Sequence, residues 1–276
     1  MVPSKEYLSG EALWGDDLPL KGLEDWYESE KSGYYDLATK YYSDGAASHE
    51  AETYQYETLN HLHAFGYVES RHWETCVALG CATGADVAPL SKAVDRYIAI
   101  EPAEKWWTSE IGGKPAEFFA PDIQGTMPIA SRAADLFVSL GVLHHIPNVS
   151  HVIRESARVL RKDGLLVLRE PISSMGKWWE PRAGLTPNER GLPEGWLRRT
   201  LQNSGYAIVR WRHCMFSPLG VATGKLKLKF PFRHQSYCLA DWIFSEATAF
   251  NATYYRPTFA RKFAPGSVFV IARKTD

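Results

Sequence analysis

Within the run VALGCATGADV, the six residues from Gly80 to Ala85 are two glycines, two alanines, a threonine and a cysteine. A backbone carrying so few side chains lets the chain bend tightly and lets a ligand lie against the main chain. The plain alternative is a tight turn packed on a sheet. Glu101 shifts that balance, because it closes the next apolar run, RYIAI, at about the twenty-residue distance where a carboxylate accepts from the hydroxyls of an adenosine ribose. A nicotinamide dinucleotide would call for GxGxxG. In GCATG the third small residue comes one position early, and no further glycine stands where a pyrophosphate would meet a helix. The spacing therefore points to an adenosine cofactor without a diphosphate.

These residues need a frame of strands and helices to hold them. TCVAL (75–79), RYIAI (96–100), AEFF (116–119), DLFVSL (135–140) and GLLVLRE (164–170) read as continuous apolar strands. Helix-length connections separate them, including ADVAPLSKAV after the glycine turn and VSHVIRESARVLR (149–161). Such alternation predicts a parallel sheet covered on both faces. SHEAETYQYETLNHLHAF (48–65) reads as a helix leading into the core, and a further helix is expected from Trp196 to Asn203. YAIVRWR (206–212) and SVFVIARK (267–274) are expected to pair antiparallel at one edge. Between them GKLKLKFPF (224–232) alternates lysines with apolar residues, the pattern of a strand with its cations on one face.

The bulk properties exclude more than they assign. The chain has 276 residues, 45% of them hydrophobic, and a formal net charge of −1. That balance does not advertise a nucleic-acid partner. The four cysteines, Cys76, Cys81, Cys214 and Cys238, form no CxxC pair, so neither a zinc site nor a disulfide framework is expected and a cytoplasmic setting is the default. The first twenty residues lack a basic region followed by an apolar stretch, and no run approaches the roughly 20 apolar residues of a membrane span.

From Cys76 to Arg169 the chain resembles the class I S-adenosylmethionine-dependent methyltransferases. VALGCATG is similar to their first motif and YIAIEP to their second strand with its ribose acid. APDIQGTMPIASRAADLFVS, LGVLHHIPN and ARVLRKDGLLVL follow in family order. The resemblance implies a doubly wound, mostly parallel seven-stranded α/β sheet of Rossmann-like type, with an N-terminal helical cap and an insertion before the last strand. The corresponding divisions are a cap or lid over 1–70, a cofactor-binding core over 71–213, an aromatic and basic insertion over 214–265 and a last core strand over 266–276. It further implies S-adenosyl-L-methionine as cofactor. Gly80, Cys81, Ala82 and Gly84 would line its methionine moiety, and Glu101 with Pro102 the ribose. Asp122 and Ile123 would meet the adenine, and Leu140 and Gly141 would lie under the sulfonium. Two departures stand out: Ala82 replaces the middle glycine, and Ala78 replaces the acid usually two positions before the first glycine.

Methyl transfer to a neutral hydroxyl needs a positioned base. By the resemblance, LHHIP places His144 and His145 beside the transferred methyl, and Glu170 ends the neighbouring strand. His145 is the expected base, with Glu170 orienting it or a partner; the alternative is that both histidines only shape the loop. No metal is expected, because adjacent histidines point in different directions and no carboxylate cluster is apparent. Trp178 and Trp179 with Lys177 and Arg182 would stack and pair a sugar-like acceptor, the alternative being a surface loop whose tryptophans plug the core. Lys225, Lys227 and Lys229 on one face of the basic strand would meet a phosphate or carboxylate of the acceptor, the alternative being a solvated edge strand. YYDLATKYYSDGAASHE (34–50) is expected to close as a lid. The sequence reading is thus O-methylation of a small molecule, with a saccharide or sugar nucleotide favoured. N-methylation of an amine and a non-catalytic binding protein stay open as alternatives, and oligomeric state is not legible.

Overall fold

β1 (Trp73–Leu79) occupies the middle of the sheet, and of its seven residues only Glu74 reaches water. The computed structural model describes residues 3–42 and 54–276. β1 pairs in parallel with β2 (Val94–Ile100) on one side and β5 (Ala134–Leu140) on the other. β2 continues to β4 (Lys114–Phe119) and β5 to β6 (Leu160–Pro171), both again parallel. Beyond β6, β8 (Pro265–Lys274) and β7 (Tyr206–Phe216) close the edge antiparallel, as the sequence predicts. The order is β3-β4-β2-β1-β5-β6-β8-β7. The sheet has eight strands where seven were expected. The extra one is β3 (Glu110–Ile111), two residues folded back on β4.

Alternate residues of these strands feed two cores, as the period of two requires. Val77, Leu79, Phe137, Leu166 and Val268 face α5 (Val149–Val159) and α6 (Glu194–Asn203). Cys76, Ala78, Leu136, Val167 and Phe269 face a helix built from α3 (Glu57–Asn60), a π turn (His61–Phe65) and α4 (Gly66–Val68). This helix corresponds to the later part of the one expected over 48–65; residues 48–53 lie outside the described residues. At the N-terminus come α1 (Lys5–Ser9) and α2 (Leu20–Tyr42), and the stretch between them caps α5. There the Asp16 carboxylate accepts from the Ser150 amide at 2.7 Å, an anion at a helix start. α2 takes in residues 34–42 of the expected lid, and the rest of that segment lies outside the described residues.

Two local expectations are overturned. No α-helix follows the glycine turn; one 3-10 turn, Ala88–Lys92, fills the space before β2 begins at Val94. Pro89 withholds a donor there, and five residues suffice only for a turn of this kind. GKLKLKFPF is not a strand either. α7 (Ser217–Lys225) ends within it, Lys227 and Phe230 adopt positive φ of 53° and 50°, and a 3-10 turn (Pro231–Arg233) leads to α8 (Gln235–Ala247). An alternating run needs a partner edge, and this one meets none: Leu226 and Leu228 stay exposed. Lys225, Lys227 and Lys229 therefore share no strand face.

The insertion is fastened to the sheet by charge. Fully buried Asp241 on α8 accepts from the amides of Met215 and Phe216, both at 2.7 Å, at the end of β7. Glu246 accepts from the His213 amide at 2.9 Å and pairs with its Nδ1 at 3.0 Å. Among the described residues no helix is long and apolar enough to cross a membrane. Asp241→Ala leaves two buried amides unpaired, so it should lower stability by about 2–3 kcal/mol. Chemical denaturation checks this, and an unchanged midpoint would remove Asp241 as the fastening.

Candidate active site

The carboxyl ends of β1, β2, β5 and β6 come together beside the point where the chain departs from β1 in both directions, the place where open α/β sheets bind ligands. Gly80 follows β1 with φ of 63°, and its amide donates to the Ile100 carbonyl at 2.8 Å. A Cβ here would stand 2.4 Å from Cγ1 of Val142, so the position demands glycine on both counts. Ala82 takes a positive φ of 47° in place of the family's glycine. Its strain is offset by a bond from its amide to Glu101 Oε2 at 3.0 Å.

Glu101 is buried and its other oxygen accepts from the Ala103 amide at 3.0 Å. Burial raises its pKa, against the two backbone bonds. Each oxygen keeps a second lone pair, so the carboxylate can hold both turns and still accept from a ligand's hydroxyls. After β4, Asp122 Oδ1 accepts from the amides of Gln124 and Thr126 at 2.9 and 2.8 Å, fixing a loop on which Ile123 is exposed. Pro102 lies between Glu101 and Ala103, and Cys81 is buried behind the turn.

Groups unremarked in the sequence complete this end. Asp86 carries a buried oxygen, Oδ1, with no hydrogen-bond partner among the described residues, and burial pushes its pKa up to about 7. Arg169, buried at the end of β6, donates to Asn60 Oδ1 at 2.9 Å and lies over the Tyr56 ring at 4.4 Å. Its charge in turn lowers the pKa of Asp86. An orphaned acid and a buried cation beside the glycine turn fit the ammonium and carboxylate of a methionine tail, and they compensate for Ala78, which sits in β1. The residues present therefore fit S-adenosylmethionine. The sequence signal was a cation interrupting the apolar strand GLLVLRE.

His144 and His145 stand on a 3-10 turn, Leu143–His145, just past Gly141. Glu170, with no exposure to water, accepts from the amides of Val142 and Leu143 at 3.0 and 2.9 Å and pairs with His144 Nδ1 at 2.8 Å. An acceptor-only carboxylate places the proton on Nδ1. Nε2 of His144 then carries a lone pair, 3.7 Å from Glu189 Oε1. Burial, helped by the neighbouring His145, lowers the His144 pKa.

Of the two histidines Glu170 orients His144, and His145 is held from another element. Its Nδ1 lies 3.2 Å from Glu30 of α2, not against Glu170. Burial pulls its pKa down, yet the Glu30 bond and the charges of Glu189, Glu30 and Glu170 outweigh that and leave it raised. Thr186 donates to Glu30 at 2.6 Å and its amide to Glu189 at 3.0 Å. Fully buried Arg190 donates to the carbonyls of His144 and Pro147 at 2.9 and 3.1 Å. The two imidazoles do not diverge: their centroids are 4.1 Å apart, and His144, His145 and Glu189 each bring one donor atom within 4.8 Å of the others.

The expected acceptor residues are placed elsewhere. Trp178 is 2% exposed and packs on Trp179 and Tyr254, so its faces serve the core. Arg182 donates to the carbonyls of Met175, Thr186 and Glu189, holding its own loop. Lys227 sits in the turn after α7, and Trp179 packs on Tyr255.

Residues 77–168 match a family described as a methyltransferase domain. The chain is 26% identical over 152 residues to 27-O-demethylrifamycin SV methyltransferase of Amycolatopsis mediterranei (strain S699), covering 52% of this chain and 51% of that one. It spans about a third to a half of the length of the curated relatives it matches. Among solved structures it resembles an S-adenosylmethionine-dependent methyltransferase from Mesorhizobium loti, with TM-score 0.50, 15% identity, and 76% and 96% of the two chains covered. A Haloferax volcanii complex of the Trm112 activator and a methyltransferase gives TM-score 0.54 at 12% identity, covering 87% and 98%. These structural likenesses show the fold. The matched domain, on that fold and with residues that fit the cofactor, identifies the chain as carrying a class I S-adenosylmethionine-dependent methyltransferase domain.

Proposed function

We propose that the protein transfers a methyl group from S-adenosylmethionine to a hydroxyl of a small-molecule acceptor, with His144 as the base. The buried pair of His144 and Glu170, beside the strand ends that hold the glycine turn, carries this reading. Bound S-adenosylmethionine supplies an electrophilic methyl on a sulfonium. Asp86 and Arg169 would hold its methionine end and Glu101 its ribose, while Asp122 and Ile123 would meet the adenine.

The rest falls to residues of the chain. A base works best when neutral at rest, and the lowered pKa of His144 favours its neutral form where the raised pKa of His145 favours the protonated one. Nε2 of His144 accepts the hydroxyl proton. Glu170 holds Nδ1–H and stabilises the imidazolium that forms. Glu189 flanks the same lone pair, and the pair of Glu30 and His145 ties α2 over the turn. A saccharide acceptor loses its expected supports, because Trp178 and Arg182 are occupied in packing and in holding the loop. The relative named for 27-O-demethylrifamycin SV favours oxygen as the methylated atom.

Two measurements test this reading. Glu101→Ala should weaken S-adenosylmethionine binding by about 1.5–3 kcal/mol, on the order of ten- to a hundredfold. Calorimetry on the folded variant reads it, and an unchanged Kd removes the ribose role. His144→Ala should lower kcat by roughly 100-fold or more with cofactor affinity kept. Because protonation disables the base and its pKa is depressed, the acidic limb of the rate profile should fall below 6.5, the ordinary histidine value. That limb should persist in His145→Gln and vanish in His144→Ala; the opposite pattern returns the role to His145.

A further inference from the structure

A cavity of about 790 Å³ opens between the loop leaving β6, the helix α7 and the segment before β8. Its size lies within the range of small-molecule sites, about 300–1,000 Å³. Four of its lining residues are cationic, Lys177, Lys225, Arg256 and Lys262, and none is acidic. Lys177 shares its charge with Glu180 at 3.1 Å. Lys225 and Lys262 have no ion pair among the described residues. Arg256 donates through Nε to Thr253 and through one terminal nitrogen to Pro265, bonds to neutral carbonyls that leave its charge uncompensated.

The remaining wall mixes serines with exposed apolar side chains. Val221 is 60% exposed and Phe259 76% exposed, and both line the cavity with Phe263. Like charges held together in a concave wall favour an anion, and exposed apolar side chains beside them favour an apolar body on that anion. Ser173, also in the lining, follows Glu170 by three residues. The chain between them spans at most about 11 Å, on the ligand side of the sheet.

We propose that this cavity binds the acceptor, and that the acceptor is a small molecule bearing a carboxylate or phosphate on an apolar body. The acceptor assignment rests on the methyl-transfer reading above; the ligand class rests on the cavity alone. Of the three lysines expected to meet an anion it keeps Lys225, and it replaces Lys227 and Lys229 by Lys262 and Arg256 from a separate part of the insertion.

The test uses the full chain and three probes of equal tail length, decanoate, decyl phosphate and decyltrimethylammonium, below their micelle concentrations. Calorimetry should show at least one anionic probe binding about tenfold or more tighter than the cationic one, and the tighter anion assigns carboxylate or phosphate. Lys225→Glu with Lys262→Glu should cost that probe tenfold or more in affinity while leaving S-adenosylmethionine affinity unchanged. Equal binding of all three probes marks only an apolar surface and overturns the proposal. Anion binding that ignores the charge reversal overturns it as well. Cofactor binding is read separately, so a chain that takes S-adenosylmethionine but no anionic probe keeps methyl transfer and loses this site.

Discussion

A carboxylate without access to water must find its donors inside the protein, and Glu170 finds three. Removing a buried charge from its partners costs several kcal/mol, so the partners have little freedom. Two of them are consecutive amides, Val142 and Leu143, which bends the chain after β5 onto the end of β6. The third is Nδ1 of His144, whose tautomer is thereby set. Val142, pinned by its amide, presses its side chain where a Cβ on residue 80 would stand. One buried acid on β6 thus fixes both the base and the space that makes glycine obligatory after β1.

Around this acid the charges divide into two groups with different tasks. On the cofactor side, Glu101 and Asp86 face the glycine turn with Arg169 as the buried counter-charge. On the histidine side, Glu30, Glu170 and Glu189 surround two imidazoles, with Arg190 buried nearby and held at carbonyl oxygens. Burial pushes the pKa of Arg190 down to about 10, which still leaves it charged at neutral pH. These acids raise both histidines, and burial with the charge of His145 outweighs them at His144 alone, which sets the two apart in acidity. His144 keeps one carboxylate at hydrogen-bond distance and full burial; His145 keeps Glu30 and more solvent. Neighbours of identical type thus come to favour opposite protonation states.

Much of the frame was legible in residue pattern. Continuous apolar runs located β1, β2, β5 and β6, because a strand buried on both faces tolerates little else. The glycine turn and Glu101 were legible because their spacing reflects one local unit, strand, turn and strand. What failed depended on partners distant in the chain. Glu30 lies 115 positions from His145, and no periodicity links them. Trp178 and Arg182 read as loop residues with stacking and pairing tasks, yet Trp178 is consumed by Tyr254 across the fold and Arg182 by carbonyls of its own loop. The lysine run had the alternation of a strand, yet it falls in the end of α7 and the turns that lead to α8 and pairs with no strand. The 3-10 turn after Gly84 reflects how few residues separate it from β2.

The insertion between β7 and β8 obeys a different economy from the core. Strand residues such as Val270 and Ile271 are shut off from water, whereas Val221, Phe250 and Phe259 in the insertion are mostly exposed. What keeps the insertion in place is a pair of acids on α8, Asp241 and Glu246, bonded to the last residues of β7. Such fastening uses backbone amides and one histidine, so it constrains few of the insertion's outward side chains. Lys225 and Lys262 of the cavity belong to that outward set, whereas Arg256 is held by the carbonyls of Thr253 and Pro265. The glycine turn and the histidine turn, by contrast, are interlocked through Glu170, Val142 and Gly80. The physical consequence is that the insertion's outward face, the proposed acceptor side, can vary in charge and apolar character while those two turns stay as they are.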